Sequence, residues 1–309
     1  NENVTSVIEN QRDMYKYIHD QALNLINQGY TMDEISHMVT LPDSLKKYGY
    51  THEFYGTVQM GVKAVYQKYL GFYDGNPTHL YNPEPTEFAA TLVEYMGGAD
   101  AVIPKLKEDY AAGKYEETAT IAGYLVFADP TNYEARYIQA DALEQLGYQS
   151  VSGPYRNAYL SAAQDLRATQ ETNDAFLYSS VKNTLGSPDV MKALSFEQVY
   201  QSLAIRLNST KAEGVNLSIL ISLTSDDENW NGRVQVKNSV LHAWNNVSDV
   251  SCDAVISGDK DTFVTYLTDG ELSLEGVEEI AKVSGDKDAV SVFLGLFDTF
   301  HPTFNIITP

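Results

Sequence analysis

The sequence has 309 residues, of which 43% are apolar and 20% charged, and this composition is typical of a globular chain with two or three domains. Its 42 acidic and 21 basic residues give a net charge of −21, which excludes a basic surface for nucleic acid and electrostatic attachment to an anionic membrane. The single cysteine, Cys252, excludes an internal disulfide, and no run of about 18 apolar residues predicts a membrane-spanning helix. The compartment stays open between the cytoplasm and the periplasm or the exterior.

Residues 1–80 are predicted to be helical. Apolar residues recur at helical spacing in two stretches, 14–26 and 58–70. Between them, Thr31-x-x-Glu34 has the pattern of a capping box, in which each side chain bonds the backbone N–H at the other end of the first turn. The prolines within residues 82–85 forbid helix, so we expect a domain boundary close to residue 80.

Residues 81–175 are also predicted to be helical, in short antiparallel pieces separated by glycines and by Pro130. Small residues such as Ala119, Ala122 and Ala140 allow neighbouring helices to approach closely, as in a tetratricopeptide-type hairpin. Only about one and a half such units fit, so we expect a helical-hairpin bundle. So few hairpins leave apolar faces uncovered, which favours pairing with a second copy of the chain.

Residues 176–309 change to an α+β pattern. Apolar residues alternate with polar ones from Val215 to Leu223, which predicts a half-buried strand, and three further strands are predicted before residue 258. Residues 254–261 and 281–288 form an internal repeat of strand, Ser-Gly-Asp turn and helix. We interpret the Asp of each copy as a helix cap. The predicted architecture is a mainly α first part followed by an α+β domain with an antiparallel-rich sheet and an apolar groove.

The sequence contains few patterns of catalytic chemistry. Its six histidines are not at the spacing of metal ligands, and it has no G-x-S-x-G nucleophile elbow and no phosphate-binding loop. We therefore predict no catalytic residue and no metal or other cofactor within this chain. Residues 52–77 combine aromatic and cationic side chains beside a tight turn. Composition favours packing against another domain there, and the wall of an anion site is the alternative.

Six strings of this sequence carry a resemblance to a known family: Tyr15–Gln21, His52–Val58, Lys63–Pro77, Val93–Asp100, Val126–Pro130 and Ala142–Gln149. They resemble the alkyl sulfatases that hydrolyse detergents such as dodecyl sulfate. The resemblance implies three parts: a metallo-β-lactamase-like domain with two zinc ions, an α-helical dimerisation domain and a sterol-carrier-protein-2-like domain. Residues 1–80 would then close the first domain, residues 81–175 would form the dimerisation domain, and residues 176–309 the third.

The resemblance also implies how the parts share the work. The zinc-binding His-x-His-x-Asp-His run of that family has no counterpart here, so we expect it in an upstream domain before Asn1, where a metal-activated water attacks the sulfate ester. This chain would supply a homodimer contact, part of the sulfate pocket and an apolar surface for the alkyl chain of the substrate. The expected sulfate-side residues are His52, Tyr55, Lys63 and Tyr66. The expected alkyl-binding residues are Ile219, Ile221, Leu223, Phe263, Phe293 and Phe297.

Two departures from that family keep other functions open. His52 stands where the family commonly has an arginine, and Gln59-Met60-Gly61 stands where it often has Ser-His-Asn. An arginine holds sulfate through a bidentate fork at any pH, whereas a histidine does so only when it is protonated. The alternatives are an inactive relative, a non-catalytic scaffold that binds lipid or acyl chains, and a structural partner for a separate catalytic chain.

Overall fold

A computed structural model describes residues 3–168, 188–226, 228–247, 251–268, 272–300 and 304–309. The chain divides into two compact units, residues 1–173 with 305–309 and residues 174–304. Each unit is described by itself. In the described part of the chain no helix is both long and apolar enough to cross a membrane.

The first unit is helical throughout its described elements. Its helices begin at the caps that the sequence indicates. Thr31 and Glu34 form the predicted capping box, and the Thr57 side chain accepts a hydrogen bond from the backbone N–H of Met60. The elements are α1 (Val4–Ile26), α2 (Met32–Met38), α3 (Asp43–Lys46), a 3-10 turn (Gly49–Thr51), α4 (Val58–Leu70), a second 3-10 turn (Pro77–His79), α5 (Pro85–Tyr95), α6 (Ala99–Ala111), α7 (Tyr115–Ala128), α8 (Tyr133–Gln149) and α9 (Gly153–Arg167).

Two hydrophobic clusters hold the first unit together. One lies between α1, α2 and α4 around Ile18, Ile35 and Val62, and the other lies among α6 to α9. The small residues predicted to allow close helix packing are buried in the second cluster, where Ala122 and Ala140 have no exposed surface. The helical bundle predicted from the sequence is therefore present, and its likeness to a tetratricopeptide hairpin stays a prediction.

The second unit is an α+β domain. Asn238 and Ser239 form the tight turn between its second and third strands, and both have positive φ, as a two-residue hairpin turn of type I′ requires. The elements are α10 (Pro188–Lys192), α11 (Phe196–Ala204), β1 (Asn216–Thr224), β2 (Asn229–Lys237), β3 (Val240–Trp244), β4 (Ala254–Asp259), α12 (Lys260–Thr268), α13 (Leu274–Ile280), β5 (Ala281–Gly285) and α14 (Lys287–Gly295).

The five strands form a mixed sheet, so the prediction of an antiparallel-rich sheet was wrong. The strand order is β3-β2-β1-β4-β5, and the central β1–β4 pair is parallel while the other three pairs are antiparallel. In the meander β1-β2-β3, β2 pairs with one edge of β1, and the opposite edge of β1 remains for a further strand. The chain after β3 returns to the start of β1, where the backbone N–H of Asp253 donates to the carbonyl of Ser218, and β4 then runs alongside β1. Strand periodicity indicates faces and not neighbours, so the sequence could not show this return.

The internal repeat builds the far edge of the sheet. Its two copies pair antiparallel as β4 and β5, and Ile256 lies opposite Val283, its own equivalent in the repeat. The two copies are thus related by a local two-fold axis. Both predicted Asp caps are confirmed: the Asp259 carboxylate accepts from the backbone N–H of Thr262, and that of Asp286 accepts from two N–H groups at the start of α14.

Candidate functional site

A cavity of about 650 Å³ opens in the first unit, where α2, α3 and the start of α4 meet the start of α9. This volume lies in the range of small-molecule binding sites. The residues that line it come from segments about 100 positions apart in the sequence. They are Ser36, His37, Val39, Thr40, Leu41, Lys46, Thr51, His52, Glu53, Thr57, Val58, Gln59, Ser150, Val151, Ser152 and Tyr155.

Two hydrogen bonds hold the two sides of this cavity together. The Ser152 hydroxyl donates to the carbonyl of Tyr55 at 2.6 Å, and the backbone N–H of Gly153 donates to the carbonyl of Phe54 at 2.8 Å. Each pairs a group at the start of α9 with an otherwise free carbonyl in the loop before α4. The loop that carries His52 is therefore fixed to the start of α9.

The lining of the cavity contains one lysine, two histidines and one carboxylate. His37, Lys46 and His52 line it, and Glu53 is the acidic residue among the lining side chains. The Glu53 carboxylate accepts a hydrogen bond of 2.6 Å from the backbone N–H of Val58, at the positive end of α4. The positive end of this helix therefore partly compensates the negative charge of Glu53. In a chain with twice as many acidic as basic residues, this balance favours an anionic ligand.

His52 has one fixed contact. Its Nε2 lies 3.0 Å from the carbonyl oxygen of Lys46. A carbonyl only accepts, so this contact requires the proton on Nε2 and leaves Nδ1 as an acceptor in the neutral ring or as a second donor in the charged one. The charged ring would add a donor to a ligand beside it.

The structure separates the four predicted sulfate-side residues. Of these, His52 alone is among the residues that line the cavity. The side chain of Tyr55 is 79% exposed, and Lys63 makes an ion pair of 2.9 Å with Asp33. Tyr66 is buried in the cluster between α1, α2 and α4, where burial and, to a smaller extent, the nearby charge of Asp74 raise the pKa of its hydroxyl.

Sequence reasoning missed most of the cavity. His37 and Lys46 lie within 15 residues of His52, and their charge was the available signal. Ser152 and Tyr155 reach the cavity only through the packing of α9 against the loop before α4, which no local pattern indicates.

The six predicted alkyl-binding residues lie in the packed core of the second unit. None is more than 8% exposed, and Ile219, Ile221 and Leu223 have no exposed surface. The rings of Phe293 and Phe297 pack edge to face with their centres 5.0 Å apart. These side chains fill the space between the sheet and its helices, so an alkyl chain could reach them only if that core opened. The six are Ile219, Ile221, Leu223, Phe263, Phe293 and Phe297.

Across the described ranges, no group of three or more His, Cys, Asp or Glu side chains lies close enough together to hold a metal ion. The zinc ions that the sequence resemblance implies therefore have no set of ligands among these described residues.

Two family models match the chain. The alkyl sulfatase dimerisation model matches residues 31–169, and the alkyl sulfatase C-terminal model matches residues 184–309. The first match contains the cavity, and the second contains the mixed sheet. Residues 31–169 and 184–309 are therefore similar to the dimerisation and C-terminal domains of alkyl sulfatases.

Individual relatives agree with this assignment. An alkyl/aryl-sulfatase of Saccharomyces cerevisiae is 37% identical over 99% of this chain and 46% of its own length. A linear primary-alkylsulfatase of a Pseudomonas species is 36% identical over 100% of this chain and 45% of its own length. The solved structure of the stereoselective inverting sec-alkylsulfatase Pisa1 from a Pseudomonas species matches with a TM-score of 0.85 and 33% identity, over 99% of this chain and 47% of that one. The chain spans about half the length of these relatives.

Proposed function

We propose that this chain is the dimerising and C-terminal part of a hydrolase that cleaves alkyl sulfate esters to an alcohol and sulfate. The single observation that carries the proposal is the cavity lined by Lys46, His37 and His52, which lies inside the region matched by the dimerisation model. The bond-breaking residues and two zinc ions are placed, by the sequence resemblance alone, in an upstream metallo-β-lactamase-like domain.

The cavity suits the two ends of an alkyl sulfate. Such a molecule has a single anionic head and an apolar chain. Lys46 and the two histidines offer positive charge and N–H donors to the head. The apolar part of the lining, from Val39, Leu41, Val58 and Val151, offers a surface for the first carbons of the chain.

The remaining predicted sulfate-side residues receive different roles in this proposal. Lys63 ties α4 to α2 through Asp33 and so positions the helix that carries His37. The exposed ring of Tyr55 is free to contact the upstream domain, and Tyr66 supports α4 from the core.

We also propose that residues 81–175 form a homodimer, as the name of the matching family model suggests. Supporting this, several aromatic side chains in this region are half or more exposed. Aromatic side chains are enriched at the core of protein interfaces because they bury a large rigid area. They are Tyr95, Tyr133 and Tyr148.

The test measures sulfate release from dodecyl sulfate by this chain together with its upstream domain, loaded with zinc. Lys46→Ala is expected to raise KM about tenfold, which corresponds to the ~1.4 kcal/mol of one charge-assisted contact. His52→Arg is expected to lower KM, because the bidentate fork of an arginine offers the sulfate head more N–H donors than an imidazole ring does.

The matched control is Lys47→Ala. Lys47 neighbours Lys46 but lies over the ring of Tyr48 at 4.9 Å and is not among the lining residues, so KM should change less than twofold. Absence of sulfate release at every pH with zinc bound would overturn the hydrolase proposal. Equal effects of the two lysine variants would overturn the role of the cavity.

A second candidate function is a scaffold that binds acyl chains without hydrolysis. It is supported by the aliphatic and aromatic core of the second unit, which would have to open around a ligand. Saturable binding of a fluorescent fatty acid to the whole chain, abolished by Phe293→Glu but not by Lys46→Ala, would favour this function.

A further inference from the structure

We propose that the solvent-facing side of the sheet in the second unit carries a binding site for an oxyanion, formed by Arg233, Gln235, His242 and Trp244. The first observation is that the described helices of this unit pack against one side of the sheet. Residues whose side chains point to the other side, here called the open face, are all half-buried or exposed. The open face comprises Ser218, Leu220, Ser222, Asn231, Arg233, Gln235, Lys237, Val240, His242, Trp244, Val255, Ser257, Lys282 and Ser284, with Asn216, Thr224, Asn229 and Asp259 at the strand ends.

The register of β2 and β3 brings the four residues together as a square. Arg233 lies directly opposite Trp244, and Gln235 lies directly opposite His242. Residues opposite each other or two apart on one face of a sheet are neighbours, so the four side chains lie next to one another. His242 and Trp244 lie on the edge strand β3, where Trp244 is 40% exposed.

The guanidinium of Arg233 is oriented by contacts with neighbouring side chains. Its guanidinium carbon lies 4.6 Å from the centre of the Trp244 ring, and the Trp244 ring is stacked on that of His242 with centres 5.5 Å apart. One guanidinium nitrogen donates to the side-chain oxygen of Gln235 at 3.3 Å. Stacking on an aromatic face orients the fork of an arginine before a ligand arrives, which reduces the entropy lost on binding.

The charge of Arg233 is not matched by a carboxylate. Within the described ranges it makes no ion pair, and its buried Nε–H has no hydrogen-bond partner. This contrasts with Arg167, which bridges Asp141 and Glu144. A cation without a counter-ion is unexpected in a chain of net charge −21, because acidic side chains outnumber basic ones two to one.

The other charged groups at the open face are of both signs, and the Asp253 carboxylate accepts from the backbone N–H and the hydroxyl of Ser218. The other charged strand residues of this face are Lys237, Lys282 and, at the end of β4, Asp259, whose carboxylate is already bound to Thr262. Between them lie small serines and the half-buried side chains of Leu220 and Val255. The ligand chemistry that fits is therefore a sulfate-type or sulfonate-type oxyanion, which accepts from the arginine fork, with room for an apolar group on the two aliphatic side chains.

This oxyanion could be free or the head of an amphiphile, and the experiment separates the two. The whole chain is titrated with decanesulfonate while tryptophan emission and the heat of binding are recorded. Decanesulfonate has a carbon–sulfur bond in place of the ester linkage of an alkyl sulfate, so it is not hydrolysed as a sulfate ester. We expect saturable binding that Arg233→Gln weakens at least tenfold. Lys237→Gln, which removes the same charge from the same face and strand, should change affinity less than twofold.

Two further arms identify the source. Competition by excess sodium sulfate would show that the oxyanion alone is recognised, whereas an Arg233-dependent affinity without such competition would show that the head of an amphiphile is required. Should Arg233→Gln fail to fold, Trp244→Leu, followed by calorimetry, is expected to weaken binding several-fold.

Unchanged affinity in a folded Arg233→Gln or Trp244→Leu variant would overturn the proposal. Equal binding of decyltrimethylammonium would also overturn it, because that amphiphile has the same chain and the opposite charge. The measurement involves no turnover, and repeating it on Lys46→Ala, which removes the lysine of the cavity, separates binding at the open face from binding in the cavity.

Discussion

Gly232 controls the packing beneath the open face, and Gly232→Ala tests that packing. Gly232 points to the covered side of the sheet, next to Arg233 on the other side. A Cβ placed there would lie 2.2 Å from the ring of Phe196, about 1 Å inside ordinary contact. Phe196 cannot retreat easily, since it is fully buried between Tyr200 and Trp230, with ring centres 4.8 and 5.4 Å away.

The expected cost follows from this overlap. Forcing an extra methyl group into a packed core costs about 1–3 kcal/mol, and we expect a loss of about 2–3 kcal/mol because the colliding atom belongs to a rigid ring. Both tryptophans of the chain, Trp230 and Trp244, lie in the second unit. Tryptophan emission during urea unfolding therefore reports the stability of this unit alone.

The control and the rescue use the same assay. Gly295→Ala lies in the same unit, where a Cβ would meet nothing within 4 Å, so its effect should stay within about 1 kcal/mol and can be stabilising. Adding Phe196→Leu to Gly232→Ala should cost less than the sum of the two single changes, because the smaller side chain makes room. A Gly232→Ala protein within about 0.5 kcal/mol of the wild type, or strict additivity, would refute the packing argument.

The other predictions concern a cap, an ion pair and assembly. Asp286→Ala removes the acceptor of two N–H groups and should destabilise the second unit by about 1 kcal/mol in the same assay, whereas Asp288→Ala, which loses no cap, should cost only a few tenths. The ammonium of buried Lys260 lies 2.9 Å from the Glu228 carboxylate and holds the pKa of that carboxyl below its ordinary value of 4.5. Stability from this pair is therefore present above pH 4.5 and lost as pH falls through the lowered pKa, so Glu228→Gln should flatten the pH dependence of unfolding in that acid range. Sedimentation should give about twice the chain mass of 34.3 kDa. Tyr137 lies on the exposed side of α8, and Tyr137→Glu should shift the measured mass towards that of one chain. An unchanged mass would show that dimerisation uses another surface.

Local patterns predicted local structure well. The capping box of Thr31 and Glu34 and the two Asp caps of the repeat are all present, because each depends on a few residues close together in the sequence. The parallel pairing of β1 and β4 depends on where a connection returns to the sheet. No spacing within a strand contains that information.

The candidate cavity shows the same division between local and long-range information. The resemblance implied sulfate-side roles for both His52 and Tyr66; His52 lines the cavity, whereas Tyr66, only 14 positions further on, is in the core. Tyr66 shares the helical spacing of the buried residues Val58 and Val62, and this spacing indicates the buried side of α4. The aromatic character of Tyr66 does not by itself distinguish a core residue from a binding residue. The contribution of α9 required the hydrogen bonds of Ser152 and Gly153, which join segments about 100 residues apart.

The second unit separates the side of a sheet that stabilises the fold from the side that can bind. Alternation along β1 assigned Ile219, Ile221 and Leu223 to one face, and their apolar character suggested a surface for alkyl chains. The same character makes that face the one that helices must cover, because exposing it to water would cost about 25 cal/mol for each Å². Once it is covered, only the polar face can meet a ligand without unfolding. In the proposal above, binding by the folded unit depends on Arg233 and Trp244, and a substitution on the covered face should change stability before it changes affinity.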